Sequence, residues 1–487
     1  MFLPDISNVV NSAVATENQL RATFTNAGQG HVFQYFDTLS SEGKASLLAQ
    51  LADIDVDRCN RIFAKATSPQ TCSNSIEPLP ADSFSSTINP SEVDSIKDWR
   101  ATGLKLIAEG KVAVILLAGG QGTRLGSSAP KGCYDINLPS HKSLFQLQAE
   151  RILSIQRIAR NAYPESQGTG IIPWYVMTSG PTRAATECFF KDNNFFGLLE
   201  ENVMFFNQGV LPAFGMDGKI LMEDKGVLAT APDGNGGIYK ALKREGVLAD
   251  LGRRAIPFVH AYCVDNCLVK VADPVFIGYC VAKKANCGAK VVPKQRASEP
   301  VGVVCLRNNK FAVVEYSEIP LELSNQLNAD GKTLTYNAAN IANHFYTTEF
   351  LNSIDEMEQT LEFHVAKKKI KHIDMKTGEL VIPTTNNGIK LELFIFDVFP
   401  FVERMAVLET ARKEEFSPLK NASGCKDGDS PETSRADILA QHKRFIEAAG
   451  GTAIGDVELS PLLTYDGEGL ESLDGVTVKG PLVVSHL

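Results

Sequence analysis

Apolar residues recur along this chain in two different patterns. Over residues 1 to about 66 they fall at helical spacing, as in Leu47, Leu48, Leu51 and Ile54 and then Ile62 and Phe63, with Ser40 or Ser41 placed to cap. Residues 68–90 turn to Ser, Pro and Thr, with Pro69, Pro78 and Pro80, and read as an irregular connector. A second helix is expected next, with Ser91 as its cap and Asp94 three residues on. At Val112-Ala113-Val114-Ile115-Leu116-Leu117-Ala118 the pattern becomes an unbroken apolar run, as in a strand buried on both faces of a parallel sheet. Further strand candidates, Pro173 to Thr178, Val203 to Phe206 and Pro257 to Val264, alternate with helical stretches from Leu144 to Arg160 and Thr182 to Asn193. This alternation predicts an α/β fold with a doubly wound sheet. The polar stretch Asn421 to Ser434, a helix near Ala436 to Ala449 and a Gly-rich end suggest a small C-terminal domain without β-helix hexapeptide repeats.

Length and composition narrow the class. At 487 residues the chain exceeds one hydrophobic core, and 44% hydrophobic with 22% charged residues is ordinary for a globular protein. No segment reaches the roughly 18 to 20 apolar residues of a membrane helix, and Met1 to Ile6 lacks a basic-then-apolar leader, so a cytoplasmic protein is expected. The ten cysteines are scattered; the spacings of Cys263 and Cys267, or of Cys280 and Cys287, do not make a Cys-x-x-Cys zinc pair, and reduced, mostly buried thiols are expected. A net charge of −9 argues against nucleic acid as a partner, which needs many cationic contacts. The run Lys367, Lys368, Lys369 and Lys371 lacks interleaved aromatics and reads as a solvated face.

In open α/β sheets ligands sit outside the carboxyl ends of strands, which directs attention to Gly119, Ser179, Gln208 and Asp265 onward. Leu117-Ala118-Gly119-Gly120-Gln121-Gly122-Thr123-Arg124-Leu125-Gly126, followed by Pro130-Lys131, is the strongest of these segments. Its glycines let backbone N–H groups approach phosphates. Their spacing is neither the dinucleotide G-x-G-x-x-G nor a Walker G-K-[ST]. A tight turn would explain the glycines alone, but Arg124 and Lys131 beside them point to anionic oxygens between two cations. Asp265, closing an apolar strand, is either a helix cap or a metal ligand.

These features resemble the sugar-nucleotide pyrophosphorylases, whose signature is G-x-G-T-R followed by Pro-Lys. Ala231-Pro232-Asp233-Gly234-Asn235-Gly236-Gly237, Tyr262-Cys263-Val264-Asp265-Asn266, Glu299-Pro300-Val301-Gly302, Val314-Glu315-Tyr316-Ser317-Glu318 and Phe416-Ser417-Pro418-Leu419-Lys420-Asn421 are similar to the eukaryotic UDP-N-acetylglucosamine pyrophosphorylases, from about residue 95 to 470. The resemblance implies a Rossmann-like mixed sheet of nucleotidyltransferase type over 109–405, with a helical N-terminal domain at 1–108 and a C-terminal domain at 406–487. It implies UTP and N-acetylglucosamine 1-phosphate as substrates, pyrophosphate as product, and possible use of N-acetylgalactosamine 1-phosphate; a UDP-glucose or broad UDP-sugar enzyme is the alternative.

The site residues follow from the same resemblance. Leu117, Ala118, Gly119, Gly120, Gln208 and Gly234 would hold the nucleotide, with Gln208 and the backbone at Gly234 on the uracil edge. Asn235, Glu315, Tyr316, Asn340 and Lys420 would hold the sugar phosphate. Arg124, Lys131 and Lys390 would serve catalysis, and Asp265 would bind Mg²⁺. Taken alone, Gly234 and Asn235 could form a hairpin turn, and Lys390 and Lys420 could be surface lysines. One departure is Asn337-Ala338-Ala339-Asn340, where the family often has Asn-Ala-Gly-Asn. The expected reaction is in-line displacement at the α-phosphorus; a sugar phosphate is already anionic, so none of the eight histidines is required.

Overall fold

The computed structural model describes residues 16–68, 75–357 and 360–487. They form two compact units, each built from three stretches of chain: Met1–Thr71, Gly209–Gly237 and Glu362–Phe394 in the first, and Cys72–Gln208, Ile238–Leu361 and Ile395–Leu487 in the second.

The second unit is organised by an eleven-stranded mixed sheet. Eight strands form its main path: β1 (Phe84–Ser86), β2 (Val112–Leu117), β3 (Trp174–Thr178), β4 (Val203–Asn207), β5 (Phe258–Cys263), β6 (Cys287–Pro293), β7 (Ala338–Thr347) and β8 (Met405–Glu409). Their spatial order is β1-β8-β6-β7-β5-β2-β3-β4. β7 runs antiparallel to β5 and β6, while β5, β2, β3 and β4 are successively parallel. All six residues of β2 are buried, as its unbroken apolar run predicts. The chain runs outward from β2 to β3 and β4, then returns to place β5 on the other side of β2. The loop after β2 therefore stands at a topological switch, where α/β sheets bind ligands.

Helices α1 (Val93–Ala108), α2 (Leu144–Ala162), α3 (Gly180–Asp192) and α4 (Pro274–Ala282) belong to the same unit. Ile107, Phe145, Ile152, Phe190 and Phe276 from these helices join Val114, Leu116, Trp174 and Val176 of the sheet in one buried core. α1 and α4 touch backbone to backbone: a Cβ on Gly103 would lie 2.0 Å from the Pro274 carbonyl oxygen, and one on Gly278 would lie 1.8 Å from that of Trp99.

Two local expectations are corrected. Ser91 does not cap α1; Pro90 opens a short 3₁₀ turn, Pro90–Glu92, and the Asn89 Oδ1 caps that turn by accepting from the Ser91 amide at 3.1 Å. The 68–90 connector is not irregular throughout, because Phe84–Ser86 pairs in parallel with β8. A strand of three residues is too short to show a period. At the other end, helix Pro431–Ala448 is followed by short parallel pairs, Thr452 opposite Thr477 and Val457 opposite Leu482.

In the first unit, helices Glu17–Asn26, Ser41–Ala52 and Val56–Thr67 start on side-chain caps at Thr16, Ser40 and Asp55. They share the unit with a three-stranded sheet of His364–Lys368, Gly388–Glu392 and Phe214–Gly215. The buried Gln29 amide ties the turn after the first helix to the 209–237 stretch: its Nε2 donates to the Gly218 carbonyl at 2.9 Å, and its Oε1 accepts from the Ile220 amide at 3.0 Å. Lys367, Lys368, Lys369 and Lys371 are exposed, the solvated face expected of them. Among the described residues the cysteines form no disulfide, Cys59, Cys267, Cys280, Cys287 and Cys305 are buried, and no helix is long and apolar enough to cross a membrane.

Two measurements test this packing. Gly103→Ala or Gly278→Ala overpacks the α1–α4 contact and should lower stability by about 3 kcal/mol or more, read as a reduced denaturation midpoint. His260 and His344 are fully buried, and burial pulls their pKa values down to about 4 and about 3. The unfolded chain binds more protons than the folded one below about pH 6.5, so stability should be steady above pH 7 and fall toward pH 4, by up to about 2.7 kcal/mol per pH unit from this pair. His344→Gln should remove about half of that slope in a calorimetric pH series.

Candidate active site

The pairing of β2 with β5 places Leu117 opposite Cys263, so the glycine loop and Asp265 emerge side by side. Leu117 and Ala118 are buried at the strand end. Ser179 Oγ donates to the Gly119 carbonyl at 2.7 Å, and the Gln208 amide N–H donates to the Thr178 carbonyl at 2.8 Å. A Cβ on Gly119 would fall 2.6 Å from Gln208 Oε1, so this glycine is what lets the Gln208 amide lie against the loop backbone. The loop is tied by Gly122 N–H to the Ala129 carbonyl at 3.0 Å and Lys131 N–H to the Gly120 carbonyl at 3.2 Å. Within it the turn Thr123–Leu125 buries Leu125 and leaves Arg124 and Gly120 exposed.

Lys131 returns toward the sheet and its Nζ stands 3.3 Å from Asp265 Oδ2, with both side chains mostly shielded from water. Asp265 does not cap a helix; the next one, α4, is capped by Asp273, whose Oδ1 accepts from the Val275 amide at 3.0 Å. Its position is set instead by the following residue. The buried Asn266 donates through Nδ2 to the Glu415 carbonyl at 2.8 Å and accepts at Oδ1 from the amides of Ser417 at 3.0 Å and Leu268 at 3.2 Å. Cys267 N–H bonds the Ser417 carbonyl and Leu419 N–H the Asp265 carbonyl, at 2.9 and 2.8 Å. The Phe416-to-Lys420 segment is thereby stitched to the end of β5.

Behind it lies a buried charge cluster. Lys290, on β6 and fully buried, is paired with Asp273 and Glu415. Burial alone would lower its pKa, but the two carboxylates outweigh this and hold it above the usual lysine range. Glu415 also accepts from Thr410 Oγ1 at 2.7 Å, and Lys270 reaches Asp466 at 2.8 Å.

In front of the stitched segment opens a cleft of about 430 Å³, whose walls include Asp265, Glu299, Val301, Asn340, Arg412 and Lys420. Two of its cations have acidic neighbours: Arg412 pairs with Glu299, and Lys420 Nζ lies 3.7 Å from Asp429. Cys263 also lines it; burial, and then the Asp265 charge, push its thiol pKa up, so it stays protonated. Among the described residues no three His, Cys, Asp or Glu side chains cluster to hold a metal. One partly exposed carboxylate at a strand end nevertheless suits Mg²⁺, which takes one or two protein oxygens and completes its shell with phosphates and water.

The structure thus brings Asp265, Asn340 and Lys420 to one cleft, Lys131 to Asp265, and Gln208 to Gly119. Glu315 approaches Asn340 through Gly302: a Cβ there would meet Glu315 Oε1 at 2.9 Å, and the Gly302 carbonyl accepts from the Asn340 amide at 2.9 Å. Tyr316 is 55% exposed and does not line that cleft. Gly234, Asn235 and Lys390 belong to the first unit. There the Leu393 amide donates to the Asp233 carbonyl at 2.8 Å, and Lys390, half-buried, stands opposite Ala366 in the three-stranded sheet. Sequence reasoning missed Asn266, Glu299, Arg412, Glu415 and Lys290. Asn266, Glu299 and Arg412 lie in or next to segments that attract attention, but only the fold reveals their partners.

The model of the family described as UTP--glucose-1-phosphate uridylyltransferase matches residues 57–451. The chain is 45% identical over 490 residues to the UDP-N-acetylhexosamine pyrophosphorylase-like protein 1 of Xenopus tropicalis, covering 95% of this chain and 94% of that one. It is 46% identical over 468 residues to the UDP-N-acetylglucosamine pyrophosphorylase of Saccharomyces cerevisiae, covering 93% and 96%. Among solved structures, the uridine diphosphate N-acetylglucosamine pyrophosphorylase from Trypanosoma brucei, in complex with inhibitor, superposes with a TM-score of 0.82 at 32% identity over 93% of each chain. With its glycine loop at the switch point of a mixed sheet and these relatives matching it almost end to end, the chain belongs to the UTP--glucose-1-phosphate uridylyltransferase family, among the eukaryotic UDP-N-acetylhexosamine pyrophosphorylases.

Proposed function

We propose that this chain is a uridylyltransferase of the cytoplasm that joins UTP to N-acetylglucosamine 1-phosphate, giving UDP-N-acetylglucosamine and pyrophosphate, and that it also accepts N-acetylgalactosamine 1-phosphate. The observation that carries this reading is the Lys131–Asp265 pair, which joins the loop after β2 to the end of β5 and is linked through Asn266 to the segment bearing Lys420. A cation and a carboxylate so placed fit a reaction in which two anions must be brought together.

An oxygen of the sugar phosphate forms a bond to the α-phosphorus, the bond from that phosphorus to its bridging oxygen breaks, and pyrophosphate leaves with the electron pair. The attacking oxygen is already anionic, so no side chain has to remove a proton. Catalysis then comes from placement and charge. Arg124, Lys131, Lys390 and Lys420 supply positive charge to the phosphates, while the backbone from Leu117 to Gly120 cradles the nucleotide. Gln208 and the backbone at Gly234 read the uracil edge, where a wrong base would leave a polar group unpaired. Asn235, Glu315, Tyr316 and Asn340 hold the sugar. Asp265 would bind Mg²⁺, which supplies charge neutralisation at the α-phosphate when bound.

The alternative, a UDP-glucose or broad UDP-sugar enzyme, shares the phosphate residues and differs only at the sugar. Pyrophosphate release from UTP across a panel of sugar 1-phosphates should favour the N-acetylhexosamines and stop when Mg²⁺ is chelated; faster turnover with glucose 1-phosphate would overturn the sugar assignment. Lys131→Ala should lower kcat by about 10²-fold with the fold intact, the scale of removing one preorganised donor. A folded variant with normal turnover would remove Lys131 from the mechanism.

A further inference from the structure

β7 departs from a regular strand beside the cleft. Its register against β6 shifts so that Asn343 opposes Lys290 while Asn340 opposes Val291, which leaves Ile341 and Ala342 as a bulge. Ala342 sits at φ 51°, a left-handed conformation that alanine takes only where its surroundings enforce it. In an unbroken strand, side chains four residues apart stand about 13 Å from one another. The bulge contracts that spacing, and His344 Nε2 comes to 3.2 Å from Asn340 Oδ1.

The hydrogen atoms in this contact can be assigned. Asn340 Oδ1 also accepts from the backbone amide of Ala342 at 3.2 Å; since a backbone N–H can only donate, this atom is the amide oxygen and not the nitrogen. His344 is fully buried, and burial keeps it neutral, with a single ring N–H. That hydrogen must be on Nε2, because it faces an acceptor. Nδ1 is then itself an acceptor, and the hydroxyl of Tyr346 stands 3.0 Å from it. The Tyr346 hydroxyl lies 2.9 Å from that of Tyr239, which donates to the Ile395 carbonyl. Tyr346 gives its one hydrogen to Nδ1, so the Tyr239 hydroxyl supplies the hydrogen between the two tyrosines and shares it with the Ile395 carbonyl. Asn340 lines the cleft, and its oxygen is committed to Ala342 and His344.

We infer that His344 is a positioning residue: held by Tyr346 as the Nε2–H tautomer, it orients the Asn340 amide so that the Nδ2 donor faces the sugar 1-phosphate and the oxygen does not. The cleft is thereby set to recognise an acceptor oxygen on the sugar. This rests on the reading of Asn340 as a sugar-binding residue under the proposed function. Without His344 only the Ala342 N–H would hold the amide, and a flip would present an acceptor to an acceptor.

The test is a comparison of KM for N-acetylglucosamine 1-phosphate and for UTP, in Mg²⁺, for wild type and for His344→Leu, His344→Gln, Tyr346→Phe and Asn340→Ala. His344→Leu should raise the sugar-phosphate KM about tenfold and leave the UTP KM within about twofold. His344→Gln, whose side-chain amide can donate from nearly the same place, should restore a value close to wild type. Tyr346→Phe, which frees Nδ1, should raise the sugar-phosphate KM about threefold. If His344→Leu does not fold, the glutamine and phenylalanine variants decide by the same split. An unchanged sugar-phosphate KM in His344→Leu beside a raised one in Asn340→Ala overturns this inference alone, as does a parallel rise in both KM values or a glutamine variant no better than leucine. An unchanged Asn340→Ala overturns the assignment of Asn340 to the sugar, and this inference with it.

Discussion

A lysine inside a β-sheet must be met by negative charge, and Lys290 imposes that condition on the larger unit. It is fully buried on β6, and an unpaired charge there would cost several kcal/mol. Asp273 and Glu415 meet it from two different directions in the chain. Asp273 is then fixed at the head of α4, and Glu415 fixes the start of the segment that ends in Lys420. Through Asn266 the same segment determines where the end of β5, and so Asp265, can lie. Removing one partner would leave the others with uncompensated charge, so this cluster acts as a geometric specification more than as a net source of stability.

The charges nearer the cleft follow a different logic. Lys131 with Asp265, Arg412 with Glu299 and Lys420 with Asp429 are partly exposed pairs, a kind that contributes about 0 to 1 kcal/mol to folding. Their value lies in placement. A long cationic side chain held by a carboxylate has already lost much of its rotational freedom, so under the proposed function less would remain to be lost on binding a phosphate. A protein of net charge −9 can in this way offer local positive charge without a broadly basic surface.

The core of this arrangement is legible in the sequence because each part has a local cause. The apolar run from Val112 to Ala118 predicts β2, and the glycines, Arg124 and Lys131 after it mark the loop by their chemistry. What escapes the sequence depends on partners far along the chain. Asn266 gains meaning from Glu415 and Ser417, about 150 residues away, and no local spacing announces them. The strand Phe84–Ser86 is formed by its pairing with β8, and its own residues, two of them serines, carry no strand signal. The family resemblance draws attention to Asn340, whereas the bulge beside it rests on Ala342, an ordinary residue in an unusual conformation.

The first unit's discontinuity also sets a timetable for its own completion. Gln29 finds its partners Gly218 and Ile220 only 189 and 191 residues later. At synthesis rates of about 5 to 20 residues per second, the ribosome needs roughly 10 to 40 s to produce that stretch. Until then the Gln29 side chain, buried in the finished unit, lacks both of these partners. The helices of this unit are therefore synthesised well before the segments that complete it.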